Sequence, residues 1–174
     1  MHRYDPLEAP DPEEWLALDE QERIDLARDY HRRARIRVPN AKVHAVLHAI
    51  VEAQIALGDE TPARRTARRL MAAGLDRHET IHAIAWVLIG FMSDLMNKSE
   101  LGIEPNAPYF AALERLTVED WRRSQLWLGQ FSLHGGDPLS SRALRWPLRR
   151  WLRGDYNKSN QDKNCDPGKK HCNE

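Results

Sequence analysis

The sequence predicts an all-α fold: one bundle-like helical domain over residues 1–135, a linker and basic Trp-containing segment at 136–153, and a flexible polar tail at 154–174. Three observations lead to it. Apolar residues recur three and four apart along successive segments, the spacing of one helix face. Capping residues open those segments, and Gly or Pro closes them. The chain has 174 residues, 41% of them hydrophobic and 30% charged, enough for one domain with a genuine core and too few for a second.

The elements follow in order. The segment DPEEWLALDEQERIDLARDYHRRARIRVPN runs from acidic residues at its start to Arg32, Arg33, Arg35 and Arg37 at its end. That is the charge order a helix dipole favours, and Pro39 ends the helix. Asn40 caps a helix over 41–57 in which Val43, Leu47, Ile50 and Gln54 form one stripe and Gly58 supplies the stop. Thr61-Pro62 opens a short basic helix ended by Gly74. Asp76 and Glu79 have capping-box spacing and open a long helix over 77–97. Its core face is Ile81, Ile84, Ala85, Leu88, Phe91, Met92 and Leu95. KSELGIEPNAPYF, with Pro105 and Pro108, reads as a loop; helices at about 108–116 and 118–131 follow, the second capped by Thr117. SLHGGDPLSS is a turn-rich linker, and SRALRWPLRRWLRG is a basic segment interrupted by Pro147 that docks by its tryptophans. From Gly154 onward Lys replaces Arg, which supplies 20 of the 26 basic residues, and Asn recurs. Such a tail is too polar to bury a core of its own.

Charge and composition narrow the function. Lys+Arg 26 against Asp+Glu 26 leaves a formal net charge of zero, so no molecule-wide field gathers nucleic acid or anionic lipid. The apolar stretch Ile81 to Met96 is broken by His82, Ser93 and Asp94 and falls short of the ~20 apolar residues a bilayer span requires, so no membrane span is expected. MHRYDPLEAPDPEEW has no basic start followed by an apolar run, and a cytoplasmic location is expected. Both cysteines lie in the last ten residues, so no disulfide staples the core.

Histidine carries the chemistry. His44 and His48 stand one helical turn apart, with Glu52 one turn further on the same row. His78 and His82 repeat the spacing within His-Glu-x-x-His. If the two helices are neighbours, these four imidazoles, with Glu52 as a further ligand or its support, converge on one metal ion. On a helical wheel both pairs fall at the edge of an apolar stripe, half-buried. Imidazole with one carboxylate suits zinc or iron rather than calcium or magnesium: zinc needs no redox partner, and bundles often hold iron through Glu and His. Glu79 occupies the general-base position of a metalloprotease. The same residue also fits a helix start, and no downstream third-ligand motif follows.

Other features have two readings. Arg64, Arg65, Arg68 and Arg69 form a cationic band that either grips an anion or partner or is a solvated face paired with Asp59 and Glu60. Trp146 and Trp151, with Arg142, Arg145, Arg149, Arg150 and Arg153, form an amphipathic surface for anionic lipid or nucleic acid, or close an edge of the core. Cys165, His171 and Cys172 supply three soft ligands, one short of a closed zinc site unless Asp166, a water or another chain adds a fourth.

The motifs DPEEWLALDEQERIDL, NAKVHAVLHAIVEAQIALGDETPARRT and GLDRHETIHAI resemble those of a family of uncharacterised bacterial helical proteins with His-x3-His motifs, over about half the chain. The resemblance implies the helical fold and carries no activity. Some proteins of that type end in a SEC-C metal-binding motif. The tail NCDPGKKHCNE resembles a worn copy: Gly168, Lys169 and Lys170 match, Cys165 matches an early ligand, and His171-Cys172 is similar to the closing pair in reversed order. The leading expectation is therefore a metal-binding protein with its ion on the two His-x3-His pairs. The alternative is a non-catalytic module that docks a protein partner or a second copy through its Arg-rich surfaces.

Overall fold

The computed structural model describes residues 3–36, 38, 40–96 and 105–132, with side chains of the last helix described as far as Gln125. Among these residues there are seven α-helices and no strand. The all-α class holds. The basic Trp segment and the Cys165–His171–Cys172 tail lie outside the described residues.

The first segment is two helices, α1 (Pro12–Ala17) and α2 (Glu20–Arg33), rather than the single one expected. Asp19 explains the break. Its side chain accepts from the Glu22 N–H while Glu22 reaches back to the Asp19 N–H, a capping box that starts a new helix and leaves Leu18 extended. Helix α2 also stops at Arg33, well before Pro39. Arg35 takes the left-handed conformation (φ 55°), and the Ile36 N–H bonds back to the His31 carbonyl. That turn satisfies the last carbonyls without glycine or proline.

Helix α3 (Ala41–Ala56) is capped as expected, with the Asn40 side chain accepting from the Val43 N–H. Gly58 (φ 71°) follows and enters a short 3-10 turn, Gly58–Glu60. The buried face is rotated from the expected stripe: Ala45, His48, Ala49 and Glu52 point inward, while Val43 is 38% exposed. Helix α4 (Ala63–Ala72) ends at Gly74 (φ 99°). Helix α5 (Arg77–Met96) is opened by the Asp76–Glu79 capping box. Helices α6 (Ala107–Arg115) and α7 (Val118–Ser132) close the fold. Thr117 and Asp120 exchange bonds across the start of α7.

Helix α5 is the central rod and packs against α3, α4 and α6. Thr80, Ala83, Val87 and Gly90 are buried besides the expected residues, so the rod is covered on more than the one expected face, whereas Met92 turns outward at 44% exposure. By length and composition α5 could cross a membrane; half of its most apolar stretch is covered by the fold, as in a core helix. The main core joins α5 to Val51, Ala63, Leu70, Leu113, Leu116 and Trp121. A second, smaller cluster gathers Tyr4, Trp15, Ala27 and Ala45 where the N-terminal stretch and α1 lie against α2 and α3.

Candidate metal centre

Three helix ends meet beside the smaller cluster. The last turn of α2 brings His31, the first two turns of α3 bring His44 and His48, and the first two turns of α5 bring His78 and His82. One ligand nitrogen from each of these five rings lies within 4.8 Å of every other. Helices α3 and α5 run antiparallel here, because His44 and His48 face His82 while Glu52 meets Arg77. One-turn spacing on both helices thus stacks His44, His48 and Glu52 against His82, His78 and Arg77.

Hydrogen bonds outside the cluster fix two of the rings. His31 Nδ1 is 2.8 Å from the Ala27 carbonyl, which can only accept; Nδ1 therefore carries the proton and Nε2 keeps its lone pair. The Tyr4 hydroxyl donates to Glu52 Oε1 at 2.7 Å and lies 3.1 Å from His48 Nδ1. Its single proton goes to the carboxylate, so its oxygen accepts from His48 Nδ1–H and His48 Nε2 is left bare. Burial, followed by the charge of Glu52, pushes the Tyr4 phenol well up, which keeps that proton in place. Both lone pairs face the cluster and accept from a neighbouring ring: His31 Nε2 takes the His44 Nε2–H at 2.9 Å, and His48 Nε2 takes the His82 Nε2–H at 3.0 Å. His78 Nε2 is buried and has no hydrogen-bond partner. Buried polar atoms are nearly always satisfied, so an unpartnered one inside a ring of imidazoles needs an explanation.

Burial also keeps the five rings neutral. Desolvation comes first for each, and mutual repulsion between the rings adds to it for four of them. His44 is pulled down to about 4 and His82 to about 3, with His48 lower still. His31 and His78 shift the same way, against the Ala27 carbonyl for the first and the acids Asp76 and Asp5 for the second. At neutral pH every ring can offer a lone pair.

Glu52 stands behind the cluster. Both its oxygens are held by Arg77, at 2.7 and 2.6 Å, and Oε1 also takes the Tyr4 proton. Its carboxylate is therefore committed to Arg77 and Tyr4 and orients His48 through the phenol, while His31 joins the four expected rings. Arg77 also donates to the Pro6 carbonyl at 2.8 Å, which ties the N-terminal stretch over the site. Glu79 is exposed, bonded to the Asp76 N–H and away from the rings. Its contacts with Asp76 are those of a helix cap.

His48 is fully buried rather than at the edge of a stripe, because α2 and the N-terminal stretch cover the side of α3 that the sequence leaves open. His31 is the residue that sequence reasoning missed. It stands four after Ala27 and seven after Ile24, on their face of α2, but the arginines that follow draw the eye to a basic helix end. Tyr4 carries no such signal, since its partners are 44 and 48 residues away.

The arginine band has a structural use. Arg64 donates to the Ile55 and Ala56 carbonyls at the end of α3. Arg69 donates to the Leu113, Glu114 and Leu116 carbonyls at the end of α6, and Arg65 pairs with Glu114 rather than with Asp59 or Glu60. Open helix ends are thereby satisfied by guanidinium groups.

No family model matches this chain, and comparison with curated proteins and with solved structures finds no significant match.

Proposed function

We propose that this is a metal-binding helical protein whose ion is held by His31, His44, His48, His78 and His82. The observation that carries the reading is the inward set of five neutral imidazoles, two with Nε2 lone pairs fixed by outward hydrogen bonds and one with a buried Nε2 that has no partner. The ligand nitrogens lie within 4.8 Å of one another, so the wider pairs would have to draw in around an ion. Zn–N bonds of ~2.0–2.1 Å at tetrahedral angles separate the nitrogens by about 3.3 Å, so the 2.9 and 3.0 Å pairs would open by a few tenths of an ångström. The carboxylate that orients His48 through Tyr4 supports the site in the way outer partners of metal-bound histidines do.

An all-imidazole set suits zinc, with iron as the second choice. Four rings complete a tetrahedral site, and the fifth either raises the coordination number or yields its place to a substrate. The test is elemental analysis of tag-free protein, intact and truncated after Gly154. About one zinc or iron per chain in both forms is expected, with loss in a His48→Ala, His82→Ala double variant that remains helical. Metal that disappears on truncation would move the site to the cysteine tail; none in either form would sink the proposal.

A further inference from the structure

On the far side of the Glu52–Arg77 pair lies a cavity of about 290 Å³, bounded by α3, α4, α5 and the Ala9–Pro12 turn. Its walls are mostly apolar, from Ile55, Ala67, Met71 and Ile81. Three arginines, Arg64, Arg68 and Arg77, border it against one carboxylate, Glu52. The cationic excess is local, since the chain as a whole has no net charge.

These arginines are not equivalent. Arg77 is held by Glu52 and Pro6, and Arg64 by the end of α3. Arg68 is exposed and makes no ion pair or hydrogen bond among the described residues. Thr80 also lines the cavity. It is fully buried, yet its Oγ1 has no hydrogen-bond partner, although a buried hydroxyl without one is costly.

We propose that this cavity binds a small organic anion with an apolar body, such as a medium-chain monocarboxylate. The chain would lie on Ile55 and Met71, and the carboxylate would pair with Arg68. The volume is at the small end of ligand pockets, ~300–1,000 Å³, which favours a compact ligand. An apolar wall with a few placed polar groups is the usual construction of such a site. The proposal is independent of the metal reading, with which it shares only the Glu52–Arg77 pair.

The experiment is calorimetric titration of the full chain with hexanoate, with hexanol and inorganic phosphate as tail-only and head-only probes. Hexanoate is expected to bind saturably at one site, with both controls about tenfold weaker or more, since a hydrogen bond to a charged group carries that much. Arg68→Gln leaves the fold intact because the side chain holds nothing in place, and it is expected to weaken hexanoate about tenfold. Heats that never saturate, hexanoate binding unchanged by Arg68→Gln, or a control that binds as well as hexanoate would each overturn the proposal.

Discussion

The two halves of α5 live in different solvents. From Ile84 to Phe91 the helix is wrapped in hydrocarbon from α3, α4 and α6, and nothing there depends on protonation. In its first two turns, His78 and His82 join three other histidines, covered by the small cluster of Tyr4, Trp15, Ala27 and Ala45 together with the rings of Tyr30 and Trp121. One half is stable by burial alone. The other has removed five basic rings from water, an arrangement whose stability must depend on conditions.

Acidity should divide the halves most sharply. Each histidine has a folded pKa below its unfolded value near 6.5, so between the two the unfolded chain binds more protons and stability falls as pH falls. For chelator-treated protein the full contribution is present above about pH 6.5. It is lost progressively toward about 4 for His44 and about 3 for His82. Urea midpoints taken from pH 7.5 downward should drop by the equivalent of several kcal/mol, on the order set by shifts of this kind. Hydrogen exchange should show α2 and the start of α3 opening before the middle of α5. Simultaneous loss of protection in both would break the comparison.

Glu52→Ala comes next. It leaves Arg77 charged, 88% shielded from water and without its partner, and removes the acceptor from Tyr4. Stripping one member of such a pair costs about 3–5 kcal/mol, measurable by urea denaturation. In the apolar half, Ile84→Ala should cost about 2–5 kcal/mol while bound metal per chain stays at the wild-type value. A parallel loss of metal would mean that the halves are not separable. Tyr4→Phe should have the smallest effect on stability, about 1–3 kcal/mol, since it unpairs His48 Nδ1 in the interior. Competition with a chromophoric chelator should nonetheless show ion affinity about 10–100-fold lower, because His48 is no longer oriented.

Helix content was legible because local signals agree with the fold: Asn40, Asp76 and Thr117 cap the helices their positions announce, and Gly58 and Gly74 end two of them. The break at Asp19 was missed for a related reason. The acidic-to-basic gradient across 11–37 suits one long helix, and the Asp19–Glu22 capping box inside it is masked by abundant acids. Periodicity found the two His-x3-His pairs, since partners on a single helix are set by spacing alone. It did not find His31, Tyr4 or Arg77, whose roles arise only when separate elements pack. The role of Glu52 was half legible: its row placed it beside the histidines, while Arg77, across an antiparallel contact, decides that it supports them.

The neutrality of the buried rings has a consequence for how an ion would be taken up. A thiolate site sheds protons as it fills, so its apparent affinity and heat vary with the buffer that collects them. Here His31 and His48 already have Nε2 bare, and the other rings need only pass a proton from one nitrogen to the other within the same imidazole. Loading at about pH 7.5 would release no acid to solution, and the calorimetric heat of zinc binding would be the same in buffers of different ionisation enthalpy.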